Sequence, residues 1–216
     1  MNFIDLYRYA NGLGGPAVSV EALRRKVIAE HATVGDVEFW GCELDSDISR
    51  GHMVLQLDRS SPYEAPYIVA SVRFDRELDT CWQRFVCCKE LMHVFDDSLQ
   101  RVDQADKFLK LMDELENNPI YVNQSEMFKS ERNAEWQALL AICPPRLRQV
   151  YKARFDAGEI DRKEAAAILG VPDVLIRTIM SDQYELTLEK LTGDTLDKPA
   201  PGTPVPFAPR KKPVQQ

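Results

Sequence analysis

Apolar positions change their period twice along this chain, and the changes divide it. Near the start they follow a helical spacing. Residues 2–10 form a short predicted helix, residues 11–16 a turn-rich link, and Ser19 caps a second helix through about Ala32 with Val20, Leu23, Val27 and Ile28 inside. From Val34 to Phe74 the texture is that of strands. Residues 37–40, 53–57 and 67–74 are rich in β-branched and aromatic side chains, with turn clusters between them, which predicts a small, mostly antiparallel sheet. The helical period then returns. Thr80 and Gln83 have capping-box spacing, so a helix is expected from Cys81 or Trp82 to about Asp97. Phe85, Cys88, Met92, Phe95 and Leu99 share one face of it, while Cys87, Leu91 and Val94 cover much of the other, which predicts a largely buried element. Further helices are expected over 104–116, 124–142, 145–157, 162–169 and 172–180. Beyond about residue 192 proline and polar residues take over, and a disordered tail is expected.

Through the buried helix at 82–97 runs a polar stripe. Glu90, His93 and Asp97 fall at i, i+3 and i+7, and Lys89 stands one turn before His93. Ionisable groups in a buried helix are costly unless paired or liganded, which makes this stripe the place to look for chemistry.

Composition narrows the function. The 216 residues, 44% hydrophobic and 28% charged, describe a globular chain, and the net charge of −7 disfavours nonspecific nucleic-acid binding. No apolar run is long enough to span a membrane, and residues 1–5 do not begin a signal peptide. The five cysteines lack C-x-x-C spacing and are expected to be reduced thiols in a cytoplasmic protein. With only three histidines, at 31, 52 and 93, a catalytic metal site would have to draw on carboxylates.

Two helices together carry a family resemblance. Lys89-Glu90-Leu91-Met92-His93 resembles the H-E-x-x-H helix of zincins with Lys89 in the place of the first histidine. Residues 131–144 resemble the E-x-x-A-N-x-x-A-A-x-L-L-x-P helix that supplies the third zinc ligand in the ImmA/IrrE family of metallo-endopeptidases. Glu131 falls on the ligand position, Ala134 and Ala138 match, Glu135 replaces the usual Asn or Asp, and Cys143 replaces the usual Met. Arg84-Phe85 precede the motif at the family's distance, and residues 164–180 are similar to its downstream helix–Gly-Val–helix segment. The resemblance covers about residues 18–181.

It implies an α+β, zincin-like fold with an active-site helix and a helical C-terminal section. The corresponding divisions are N-terminal helices at 1–32, a peptidase-like domain at 33–157, a helical hairpin at 158–190 and the tail at 191–216. It further implies zinc-assisted peptide hydrolysis with Glu90 as general base, His93 and Glu131 as ligands, and Tyr67 to Val72 as the edge strand along which a peptide lies. The partner implied is a repressor-like regulatory protein in bacterial stress or mobile-element control.

Lys89 alters that ligand set. Either Asp97 is recruited as an extra ligand and zinc is retained, or the Lys89 ammonium neutralises Glu90 or Glu131 and no metal is used. The expectations that follow are a catalytically impaired relative that binds a protein partner, a working zinc endopeptidase with an altered ligand set, and a helix-turn-helix regulator built on 162–180. The last has Arg177 as the only cation on its second helix, fewer contacts than DNA readout uses.

Overall fold

The computed structural model describes residues 1–46, 48–59, 66–97, 99–102, 105–117 and 124–196. Its elements are α1 (Phe3–Gly12), α2 (Val20–Glu30), β1 (Val34–Cys42), β2 (Gly51–Asp58), β3 (Tyr67–Asp75), α3 (Thr80–Met92), α4 (Ala105–Asn117), α5 (Glu126–Ile142), α6 (Pro145–Asp156), α7 (Arg162–Leu169), α8 (Asp173–Met180) and α9 (Gln183–Thr192). The chain is α+β as expected. Of the predicted disordered tail, residues 197–216 lie outside the described residues, while its first residues close α9 at Gly193, whose φ is +73°. The spacing did not announce α9. No helix among the described residues is long and apolar enough to cross a membrane.

The sheet differs from the expectation in two ways. Its order is β1-β3-β2, with β3 antiparallel to β2 but parallel to β1, so it is evenly mixed rather than mostly antiparallel. The strand expected at the edge, Tyr67 to Val72, is the central one. Ala70 and Val72 are fully buried, as a strand paired on both sides and covered by helices requires. β2 is an edge strand instead.

One face of the sheet packs on α2 and α3, and α3 lies between the sheet and α5. Small residues let α3 and α5 approach. Ala134 and Ala138 are buried, and the Cys88 thiol donates to the Ala138 carbonyl at 3.9 Å. All five cysteines are free, and burial pushes the thiols of Cys87, Cys88 and Cys143 up to about 12.

The α3 start lies one residue before the expected one. Asp79 is the cap, its carboxylate accepting the Trp82 N–H at 2.9 Å, while Gln83 reaches back to the carbonyls of Arg76 and Leu78. Asp79→Ala is expected to cost about 1 kcal/mol, read as a lower urea midpoint at unchanged slope.

Arg84 anchors α3 to the rest of the chain. Its guanidinium donates to the carbonyls of Val18, Leu169 and Gly170 at 2.5, 3.0 and 2.6 Å, tying α3 to the start of α2 and to the turn between α7 and α8. Gly170 makes that turn with φ of +61°, and a Cβ there would stand 3.3 Å from an Arg84 nitrogen. The α7–α8 pair thus packs into the core. α8 buries Leu175, Ile176, Ile179 and Met180, leaving Val174 and Arg177 outward.

Candidate functional site

α3 ends earlier than its apolar pattern implies, and the site depends on it. The α-helix stops at Met92 and tightens into a 3-10 turn over His93–Phe95. In an α-helix Asp97 would stand one turn above His93. In the tighter turn the residue three places on is eclipsed with His93, and that residue is Asp96. Its carboxylate lies 2.7 Å from His93 Nδ1 and also accepts the Ser130 hydroxyl at 2.7 Å. Asp97 is exposed and caps the following turn through the N–H groups of Leu99 and Gln100, so the structure does not bring it to the site. Leu99, expected on the buried face, is 72% exposed for the same reason.

α5 supplies the opposing wall. Ser125 caps it by accepting the Phe128 N–H at 3.2 Å, which sets the helix phase. Ser130 then falls inside and Glu131 beside α3. Glu131 and the buried Glu90 meet the Lys89 ammonium between them. Lys89 Nζ lies 3.0 Å from Glu90 Oε1 and 2.5 Å from Glu131 Oε2. His93 Nε2 completes the group, 3.3 Å from Glu131 Oε1 and 4.0 Å from Glu90 Oε2, within ion-pair reach but with no directed hydrogen bond. The structure therefore gathers Lys89, Glu90, His93 and Glu131 into one cluster.

The charges lock one another. Burial opposes charge on Lys89, yet Glu90 and Glu131 outweigh it and raise the ammonium above its ordinary range. Burial likewise opposes charge on His93, but Asp96, Glu131 and Glu90 hold its pKa up at about 10. Burial favours the neutral acid of Glu131. Lys89 and His93 win and hold its carboxyl well below the usual range.

Tested against zinc, this donor set does not fit. A catalytic zinc takes three protein ligands and an open position. Glu131 and His93 Nε2 offer two. At the third stands an ammonium, which donates rather than ligates and repels a divalent cation. Among the described residues no group of three His, Cys, Asp or Glu is arranged around a common metal position.

The cluster lies in a cleft of about 1020 Å³ walled by α3, α5, the 99–102 turn and β2. The Arg50 carbonyl accepts the Asp75 N–H at 3.0 Å, which fixes the ladder's alternation. His52, Val54 and Gln56 therefore exchange bonds with β3, while Met53, Leu55 and Leu57 turn their N–H and C=O groups to the outer edge, which pairs with no strand among the described residues. The opposite edge is partly closed, since Arg24 of α2 donates to the Val37 carbonyl at 2.6 Å. Arg50 stacks over the Trp82 ring at 4.2 Å on the cleft's rim.

Asp96, Ser130, Arg50 and His52 were not singled out from sequence. Asp96 adjoins a residue that was, and a helix ending one turn early was the missing signal. His52 lines the cleft from β2, pairs in register with Arg73, and has its pKa lowered chiefly by burial.

Set beside known proteins, the chain matches no family model, no curated protein and no solved structure.

Proposed function

We propose that this chain is a catalytically impaired protein of ImmA/IrrE type, acting in regulation by gripping an extended segment of a protein partner. One observation carries the reading. Lys89 Nζ sits between the two carboxylates that in a zincin-like site would serve as base and ligand, at 3.0 and 2.5 Å. The ammonium stands in for the cation's charge but supplies neither a Lewis acid nor an activated water. The cleft and the free β2 edge remain, and an unpaired edge is a template for an added strand. The grip is thus assigned to β2 rather than to Tyr67–Val72, whose strand is paired on both sides. A cytoplasmic setting suits the free thiols.

A second reading, an active zinc endopeptidase with an altered ligand set, draws on His93. Its buried Nε2 has no directed hydrogen bond and faces both carboxylates. The helix-turn-helix reading draws less support, because α8 spends most of its surface on the core.

Elemental mass spectrometry on purified protein separates the first two. The expected result is no stoichiometric zinc in the unmodified chain and one zinc per chain in Lys89→His. One zinc in the unmodified chain, with chelator-sensitive cleavage of casein, would establish the second reading. No zinc in either protein would show that the cluster does not derive from a metal site.

A further inference from the structure

We propose that the cleft selects an acidic segment, with Arg50 and Arg101 receiving carboxylates at its two ends. The inference rests on the reading that β2 accepts an extended peptide.

The protein carries seven more acidic than basic side chains, and many of its arginines are matched: Arg148 to Glu185 at 2.9 Å, Arg162 to Asp173 at 2.9 Å, Arg24 to Glu21 at 2.8 Å. Two that line the cleft make no ion pair among the described residues. Arg50 lies on the Trp82 ring and makes no ion pair among the described residues. Stacking on the aromatic face fixes the plane of the guanidinium and leaves its edge donors free. Arg101, in the turn after His93–Phe95, has its Nε buried with no hydrogen-bond partner among the described residues. A buried donor without an acceptor is costly, and a ligand carboxylate would remove that cost.

Their placement sets a length. Arg50 sits at the first turn of α3 and Arg101 follows its far end. The 13 residues of α3 span about 20 Å, at about 1.5 Å per residue. An extended chain covers that in about six residues, at about 3.3 Å each.

Between the arginines the surroundings differ. Val86, Leu111 and Met112 line the cleft, Glu90 and Glu131 are already neutralised by Lys89 and His93, and Glu135 and Asp96 also face it. Acidity is therefore favoured at the ends and apolar or neutral side chains in the middle. The free N–H and C=O groups of Met53, Leu55 and Leu57 hold the backbone.

The probe is a fluorescein-labelled hexapeptide with aspartate first, glutamate last, and valine and threonine alternating between. Its neutral twin carries asparagine and glutamine at the ends. Anisotropy titrations at low salt are run with the full chain and with Arg50→Ala and Arg101→Ala, whose melting temperatures are measured alongside. Hydrogen exchange across residues 53–57 reports where the peptide lies. The expected result is binding of the acidic peptide about tenfold tighter than its twin, weakened by salt, with most of that preference lost in each variant and exchange slowed across β2. Equal binding of the twins with slowed exchange would overturn the acidic selection while leaving peptide docking standing. Binding of neither, with exchange unchanged, would overturn the docking reading and this inference with it.

Discussion

Replacing Lys89 by alanine lowers the melting temperature by about 6–12 °C. Removing one partner of a buried ion pair leaves the other charge uncompensated, at a cost of about 3 kcal/mol or more. In a chain of this size each kcal/mol moves the midpoint by about 2–4 °C. The value is taken at the low end because His93 remains beside Glu131 at 3.3 Å and takes up part of the charge. The Lys89 side chain is 21% exposed, so solvent screens little of the loss. A second substitution separates compensation from simple loss of packing. In Lys89→Met with Glu131→Gln, one cation and one anion leave together, and about half or more of the lost stability is expected to return. A melting temperature unchanged to within about 2 °C in Lys89→Ala would remove the charge-compensation argument.

The second large effect is on pH. The His93 pKa stands at about 10 in the folded protein against an ordinary 6.5. A raised folded value means the folded state holds the proton more tightly, so the stabilisation is complete below about pH 6.5 and is lost as pH rises through 10. Glu131 runs the other way. Its folded value is depressed from 4.5, so its contribution is complete above that pH and is lost as pH falls. Stability should therefore peak near pH 5–6 and decline by a few kcal/mol between pH 7 and 10, the two shifts describing largely one interaction rather than two additive ones. Urea midpoints measured across that range check the decline, and His93→Gln should flatten its alkaline side. A profile level from pH 6 to 10 would show that His93 is neutral in the folded protein and that the geometry around it does not carry a charge.

Both predictions rest on residues that could be picked out before any fold was known, and on distances that could not. Glu90, His93 and Lys89 were marked by local spacing on one apolar helix, and Glu131 by the resemblance of its own helix, which ends before Pro144, to a ligand-bearing one. That α3 and α5 meet so that Lys89 bridges Glu90 and Glu131 is a tertiary fact, made possible by the buried Ala134, Ala138 and Cys88 between them. Where a local signal was ambiguous, packing decided. Of the two serines near the start of α5, Ser125 caps the helix and Ser130 is buried against Asp96. Thr80 and Asp79 competed for the start of α3, and Asp79 won by one residue.

The chain's own sequence determined the α+β class, the extents of α1 to α8 to within a few residues except for the C-terminal end of α3, and the helix on which ionisable groups gather, because these follow from side-chain periodicity and from caps within a few residues. Only the tertiary structure decided that β3 is central and β2 is the free edge. Strand order depends on contacts between segments far apart in the chain, and a β-branched run reads alike in either place. It decided also that Asp96 rather than Asp97 holds His93. The last turn of α3 tightens to 3-10 geometry where the helix ends, and a one-residue change of pitch carries a different carboxylate onto the site.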